Sequence, residues 1–157
     1  MKILFICTHN RCRSILAEAI ANHFGEGLIE AASAGSEPAG KIHPMTIKAL
    51  EAKGIPVEGL HSKSWDDMED FEADFVITVC DNAAAEKCPL WFGMSLRAHW
   101  GLEDPSLAEG SENEKLAAFN QTIEILTFRI KSLLEIIKDN PSRTVILKTL
   151  EQFGSAV

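Results

Sequence analysis

The chain has 157 residues, with 46% hydrophobic residues, 24% charged residues and a formal net charge of −8. These values are typical of one globular domain and argue against a disordered chain. The excess of acidic residues argues against a nucleic-acid partner, and no apolar run approaches the roughly 20 residues that cross a bilayer. We therefore expect a single domain over residues 1–157.

The hydrophobic pattern of the first half predicts strands alternating with helices. Residues 2–6 form the apolar run expected of a strand buried on both faces, and a helical stripe follows from Ser14 to Phe24. A second strand is expected from Gly27 to Ser33, and Pro44 suits the first turn of a helix ending near Lys53. Ser64 is expected to cap a further short helix.

The second half continues this alternation. Phe75–Val79 is the clearest central strand, and a long connection from Cys80 to Phe92 leads to a short strand near residues 98–100. Helical spacing recurs from Asn113 to Ile137, and residues 138–157 are expected to form a helical appendix that packs on the domain or pairs with another subunit. The pattern predicts an α/β fold in which a parallel sheet is covered by helices on both faces.

Cysteines occur at positions 7, 12, 80 and 88. The apolar start of the chain is too short for a signal peptide, so we expect a cytoplasmic protein. In that reducing compartment structural disulfides are improbable, which leaves thiol chemistry or simple burial to explain the four residues. The chain has no Cys-x-x-Cys pair and its histidines are scattered, which argues against a structural zinc site.

The segment joining the first strand to the first helix carries the strongest chemical signal. Its residues are Cys7, Thr8, His9, Asn10, Arg11, Cys12, Arg13 and Ser14. Five residues separate Cys7 from Arg13, a spacing that suits a loop whose amides and following helix start surround a tetrahedral oxyanion. Arg13 would add a two-pronged donor, and the same field would favour the thiolate of Cys7. The alternative is a buried cysteine with an arginine nearby by chance.

Other residues of this loop have expected supporting roles. The Ser14 hydroxyl is placed to hydrogen-bond the Cys7 thiolate, and Asn10 is expected to hold the loop because asparagine tolerates left-handed backbone geometry. His9 and Arg11 are expected at the mouth of the cleft, where Arg11 adds positive potential. Cys12 is interpreted as a small filler of the loop, the alternative being an off-path disulfide with Cys7 under oxidation.

These features resemble the low-molecular-weight protein tyrosine phosphatase family, and more closely the arsenate reductases built on that fold. The resemblance covers roughly residues 1–137. It rests on the Cys7 loop, Ser33-Ala34-Gly35, the strand ending at Cys80, Cys88-Pro89, and His99-Trp100-Gly101 leading to Asp104-Pro105. It implies a three-layer fold with a four-stranded parallel sheet, and it makes Asp104 the general acid that protonates a leaving oxygen.

The resemblance implies a relay of three thiols. Cys7 attacks arsenate while Arg13 holds the oxyanion, and Cys80 then attacks Cys7 and releases arsenite. Cys88 attacks Cys80, and the resulting Cys80–Cys88 disulfide is reduced by a dithiol protein. Three thiols can supply two electrons by successive exchange, whereas a phosphatase needs neither Cys80 nor Cys88. The alternative reading of these two cysteines is that they are inert buried residues.

Two other functions stay open at this stage. One is a phosphatase of phosphomonoesters; Ser106-Leu107 after Pro105 and the absence of tyrosine argue against an aromatic cleft, although Trp65, Trp91 or Trp100 could line one. The other is a non-catalytic oxyanion-binding or redox-sensing module.

The expected partners follow from the leading interpretation. They are arsenate, with phosphate and sulfate as competitors, and thioredoxin, with glutaredoxin and glutathione as the alternative reductant. No tightly bound cofactor is expected, and the expected state is a monomer or a weak homodimer. Some relatives bind potassium near residues matching Asn10, Glu18 and Ser33, with a fourth ligand matching a position between Ser62 and Asp66.

Overall fold

A four-stranded parallel sheet forms the centre of the computed structural model, which describes residues 1–80 and 95–155. The strands are β1 (Lys2–Cys7), β2 (Glu30–Gly35), β3 (Phe75–Thr78) and β4 (Leu96–His99), and their order across the sheet is β2-β1-β3-β4. All residues from Ile3 to Cys7 are buried, so both faces of the central strand are covered. The predicted α/β fold is confirmed.

The helices are α1 (Arg13–Phe24), α2 (Pro44–Ala52), α3 (Glu112–Ile137) and α4 (Arg143–Ser155), with 3-10 helices at Trp65–Phe71 and Pro105–Leu107. All the helices described except α1 begin where the sequence supplies a capping side chain or a proline. The hydroxyl of Ser64 accepts a hydrogen bond from the Asp66 amide, as predicted. Ser111 caps α3 through a reciprocal pair of hydrogen bonds with Glu114, which satisfies two backbone donors at the helix start.

The second strand begins later than the sequence predicts. Gly27 to Ser33 was the expected span, but β2 runs from Glu30 to Gly35. Glu26 and Gly27 adopt positive φ angles of 50° and 75°, and the Leu28 amide donates to the Gly25 carbonyl. These residues form a turn, and its apolar Leu28 and Ile29 imitate the start of a strand in the sequence.

The C-terminal appendix is a helix that packs on its own chain. Ile146 and Leu150 of α4 are buried, and the indole nitrogen of Trp100 donates to the Leu150 carbonyl at 2.8 Å. A Cβ atom at Gly154 would collide with the His99 carbonyl, so glycine lets α4 approach β4 closely. Within the described ranges, no helix is long and apolar enough to span a bilayer.

Candidate active site

Three chemically important segments leave the sheet at the same edge. The Cys7 loop (residues 7–14) follows β1, Cys80 follows β3 by two residues, and Asp104 follows β4 by five. Because the strands are parallel, their carboxyl ends lie together, and ligand sites of open α/β sheets gather at this edge. The sheet order places β3 directly beside β1, which brings Cys80 towards the Cys7 loop.

These segments surround one cavity of about 410 Å³. It is lined by Cys7, Thr8, His9, Arg11, Cys12, Arg13, Cys80, Leu102, Asp104 and Leu107. Two arginines and one aspartate among these residues give the cavity a local excess of positive charge in a chain whose net charge is −8. Such an excess attracts a small anion.

The backbone of the Cys7 loop is held from outside by the loop that follows β2. The carbonyls of Thr8, His9 and Arg11 accept hydrogen bonds from the amides of residues 37, 39 and 43, each at 2.9 to 3.0 Å. In a planar trans peptide, the N–H of each residue points opposite to the carbonyl of the residue before it. The amides of residues 9, 10 and 12 therefore point away from that outer loop. Backbone donors of this kind form an anion-binding concavity.

Close approach of β2 to this loop requires a glycine. A Cβ atom at Gly35 would collide with the carbonyl oxygens of Cys7 and Thr8. Gly35 pairs with Cys7 in the sheet register, and any larger residue would push the loop away from β2. Steric crowding therefore explains why the motif Ser33-Ala34-Gly35 ends in glycine.

Cys7, the predicted nucleophile, ends β1 and contacts the first turn of α1. Cys7 is buried, and its Sγ atom lies 2.8 Å from the Ser14 hydroxyl oxygen, as the sequence predicts. Cys12 is the N-cap residue of α1. Its side chain makes no capping hydrogen bond to that helix among the residues that the structure describes. The first amides of α1 and the positive end of its dipole suit a bound anion.

Asn10 has the left-handed conformation expected for it. Its φ angle is 46°, its side chain is completely buried, and it donates to Ser14 Oγ at 2.8 Å and Ser33 Oγ at 3.0 Å. Asn10 was also expected among the substrate-binding residues, but its side chain is turned into the protein. Its contribution to an anion would come from the backbone amide.

Arg13 and Asp104 form an ion pair in the lining of the cavity. Arg13 Nη1 donates to the Leu102 carbonyl at 3.0 Å, and Arg13 Nη2 lies 3.6 Å from Asp104 Oδ2. Asp104 Oδ1 accepts from both the amide and the hydroxyl of Ser106, at 2.9 and 2.6 Å. One carboxyl oxygen is therefore fixed by Ser106, which leaves Oδ2 as the oxygen that faces Arg13.

Cys80 shares the cavity with Cys7. Its Sγ atom lies 3.7 Å from the Thr8 hydroxyl, and the residue is buried in the wall of the cavity. The two sulfur-bearing segments are distant in sequence and adjacent in space, as the topology predicts. The third expected relay residue, Cys88, and Trp91 lie outside the described residues.

Cys12 has the properties of a loop filler. The residue is buried, and this burial, with a smaller contribution from Asp104, raises the pKa of Cys12 to about 12. A thiol with so high a pKa stays protonated at neutral pH and is a poor nucleophile.

Two residues that contact Arg13 and Asp104 were not predicted from the sequence. The Leu102 carbonyl gives no sequence signal, because its role depends only on where the chain passes Arg13. Ser106 could have been found, since Asp104-Pro105-Ser106 is a turn sequence in which the aspartate caps the following amide. Trp100, considered as an aromatic wall, is completely buried against Phe5 and Phe153.

The residues matching the potassium site do not suit a potassium ion. Glu18 Oε1 already lies 3.4 Å from the ammonium of Lys63, and a second cation there would meet a like charge. Among the described residues, no group of three or more histidine, cysteine or acidic side chains is arranged to hold a metal ion.

Protonation of His43 is expected to weaken the start of α2. His43 Nδ1 accepts a hydrogen bond from the Met45 amide, and burial, followed by the charge of Arg11, lowers the pKa of His43 below 6.5. Because the folded pKa is depressed, this contribution to stability is complete above pH 6.5 and is lost as the pH falls through the folded pKa.

His43→Asn keeps a capping side chain that does not titrate. Between about pH 7 and pH 5.5, the wild-type melting temperature should fall about 2–4 °C more than that of His43→Asn, as loss of a cap predicts for a domain of this size. Thermal unfolding followed by circular dichroism measures both. Equal slopes for the two proteins would contradict the role of His43.

A cysteine held at a helix start, an arginine fork and a carboxyl group on the facing loop define the class of this protein. The chain belongs to the low molecular weight phosphotyrosine protein phosphatase family, whose model matches residues 2–143. The predictions that the chain belongs to this family and that it is an enzyme are confirmed.

Within this family, the chain is similar to proteins named arsenate reductases. The arsenate reductase of Shouchella clausii is 37% identical over 137 residues, which cover 85% of this chain and 94% of the relative. The glutaredoxin arsenate reductase of Synechocystis is 36% identical over 107 residues, which cover 66% of this chain and 78% of the relative.

Solved structures of arsenate reductases also resemble this chain. A thioredoxin-dependent arsenate reductase of Corynebacterium glutamicum has 29% identity and a TM-score of 0.68, and the match covers 89% of this chain and 63% of that one. An arsenate reductase in a phosphate-binding state has 29% identity and a TM-score of 0.71, with 87% and 98% covered.

Proposed function

We propose that this chain reduces arsenate to arsenite. The observation that carries the proposal is that Cys80 lines the same cavity as Cys7, Arg13 and Asp104. Cys7, Arg13 and Asp104 suffice for phosphate ester hydrolysis, which makes no use of Cys80, whereas arsenate reduction needs a further thiol to supply electrons by exchange. The names of the similar proteins support the same substrate.

The first step joins Cys7 to arsenic. The Cys7 thiolate attacks arsenate while Arg13 and the loop amides hold its oxygens. Asp104 gives a proton to the departing oxygen, which leaves as water. Oδ1 is already the acceptor of both Ser106 hydrogen bonds, so Oδ2 is the oxygen that gives the proton, once arsenate has taken the Arg13 guanidinium from it.

The second step transfers the electrons. Cys80 attacks the sulfur of Cys7, so the sulfur–sulfur bond forms as the sulfur–arsenic bond breaks. The electron pair of the broken bond stays on arsenic, and arsenite leaves. Cys88 then attacks Cys80, which frees Cys7 and leaves a Cys80–Cys88 disulfide.

A dithiol protein of the thioredoxin type is the proposed source of electrons, because an internal disulfide is best reduced by two neighbouring thiols. The Corynebacterium structure supports this choice, whereas the name of the Synechocystis relative favours glutaredoxin. The same cavity would accept phosphate or sulfate as competing anions.

An assay of NADPH consumption with arsenate tests the function and the reductant together. We expect NADPH oxidation that requires this chain, arsenate, thioredoxin and thioredoxin reductase. Replacing the thioredoxin pair by glutathione, glutaredoxin and glutathione reductase should give a much lower rate. If neither system consumes NADPH with arsenate, the proposal is wrong.

A phosphatase is the second candidate, because Cys7, Arg13 and Asp104 are the groups that ester hydrolysis needs. Leu107, which follows the Asp104-Pro105 pair at the cavity, is aliphatic and 74% exposed, so this wall offers no ring to stack on an aryl phosphate. Brisk hydrolysis of para-nitrophenyl phosphate without arsenate reduction would favour this candidate.

A further inference from the structure

A shielded ion pair lies next to the Cys7 loop. Lys63 Nζ is 3.4 Å from Glu18 Oε1, and each side chain is only 12% exposed. Glu18 lies on α1, and Lys63 precedes the first 3-10 helix. A carboxylate so shielded from water requires a neighbouring cation, since an unpaired buried charge is strongly destabilising.

The position of Lys63 is fixed by its backbone. Its amide donates to Asn10 Oδ1 at 2.9 Å, and its carbonyl accepts from the Gly35 amide at 3.0 Å. The ammonium also donates to the His61 carbonyl at 3.1 Å. The lysine is therefore tied to the Cys7 loop and to the end of β2, and its ammonium is directed at Glu18.

Hydrogen bonds connect this ion pair to the nucleophile. Ser33 Oγ donates to Glu18 Oε1 at 2.6 Å, and Asn10 Nδ2 donates to Ser33 Oγ at 3.0 Å. The same amide nitrogen donates to Ser14 Oγ, which lies 2.8 Å from Cys7 Sγ. Glu18 is thus connected through hydrogen bonds to the side chains that position the Cys7 sulfur.

We propose that the Lys63 ammonium is a built-in counter-ion that takes the place of a bound alkali cation. Lys63 is a positioning residue: it neutralises Glu18 and so keeps Asn10 and Ser14 in place around Cys7. Wild-type protein consequently needs no added potassium. Removing the ammonium exposes a carboxylate and a carbonyl oxygen, hard donors that suit an ion of the same charge and similar size. The inference does not rest on the thiol relay.

The test compares Lys63→Met with a matched control, Lys138→Met. Lys138 also forms an ion pair, with Glu26 at 3.0 Å, but both side chains are largely exposed. Melting temperature and the rate of Cys7 alkylation by iodoacetamide are measured in potassium chloride and in tetramethylammonium chloride at equal ionic strength. Neither readout uses arsenate or a reductant, so failure here is distinguishable from failure of the proposed function.

We expect Lys63→Met in tetramethylammonium chloride to melt about 5–10 °C below wild type and to alkylate several-fold more slowly, as loss of a buried charge partner predicts. Potassium should restore at least half of both losses. Wild type and Lys138→Met should respond equally little to potassium. A Lys63→Met protein that responds no more than Lys138→Met overturns the proposal.

A double variant separates charge from packing. Lys63→Met combined with Glu18→Gln removes both charges, and we expect it to fold and to show no potassium response. If the single variant does not fold in either salt, a folded double variant supports the counter-ion role. A double variant that also fails to fold would mean that Lys63 acts through packing, which overturns the proposal.

Discussion

Replacing Cys80 by serine is expected to stop steady-state arsenite formation while leaving oxyanion binding at the Cys7 loop intact. The Cys80 sulfur lies in the cavity wall, 3.7 Å from the Thr8 hydroxyl, so serine removes the proposed electron donor with little change of shape. We expect the steady-state rate to fall by roughly three orders of magnitude or more, as loss of a nucleophile does in other enzymes. The NADPH-coupled assay measures the rate, and phosphate binding measured by calorimetry checks the cavity.

Cys12→Ser is the matched control for this prediction. It makes the same atom change in a second buried cysteine at the same cavity, and the high pKa of Cys12 keeps its thiol out of the chemistry. We expect Cys12→Ser to retain most of the turnover. Cys88→Ser should permit one turnover and trap a Cys7–Cys80 disulfide visible by mass mapping. Retained steady-state turnover in Cys80→Ser would refute the relay.

Replacing Asp104 by asparagine is expected to slow the formation of the Cys7–arsenic bond by about 10²–10⁴-fold, the usual contribution of a general acid. Asparagine keeps an oxygen that can accept the two Ser106 hydrogen bonds, so the loop should keep its position, but it has no proton to give. Single-turnover arsenite release, measured by rapid quench, reports this step.

Ser106→Ala is the control for Asp104→Asn. It leaves the acid in place and removes one of the two hydrogen bonds that orient it, so we expect a decrease of less than about 10-fold, in line with the energy of one such bond. An unchanged rate in Asp104→Asn would contradict the general-acid role. Oxyanion binding without any arsenite release, in wild type and in Asp104→Asn alike, would favour the third alternative, a module that binds oxyanions without catalysis.

The geometry of the Cys7 loop could be predicted from the sequence because it is local. A buried strand, a loop with Cys7 and Arg13 and an amphipathic helix follow one another within a few residues, so the anion site forms wherever that unit folds. The left-handed Asn10 and the Ser14 contact are also short-range features. The start of β2 was misplaced because a turn of residues 25–29 contains apolar side chains that resemble a strand.

The meeting of distant segments depended on the tertiary structure. Cys80 lies 72 residues from Thr8, and the Leu102 carbonyl lies 89 residues from Arg13, so no local pattern relates them. The order β2-β1-β3-β4 makes them neighbours by placing β3 beside β1 and β4 beyond it. For the same reason Lys63, 45 residues from Glu18, gave no signal of an ion pair.

The amino-acid sequence by itself therefore determined the strand–loop–helix unit, the place of Cys7 in it and the parallel α/β plan, because hydrophobic period and turn-forming residues act over short stretches. The folded chain alone decided which thiol, carbonyl and ammonium surround that unit. Those contacts depend on strand order and on side-chain packing across the sheet edge. Neither can be predicted from the spacing of residues along one segment.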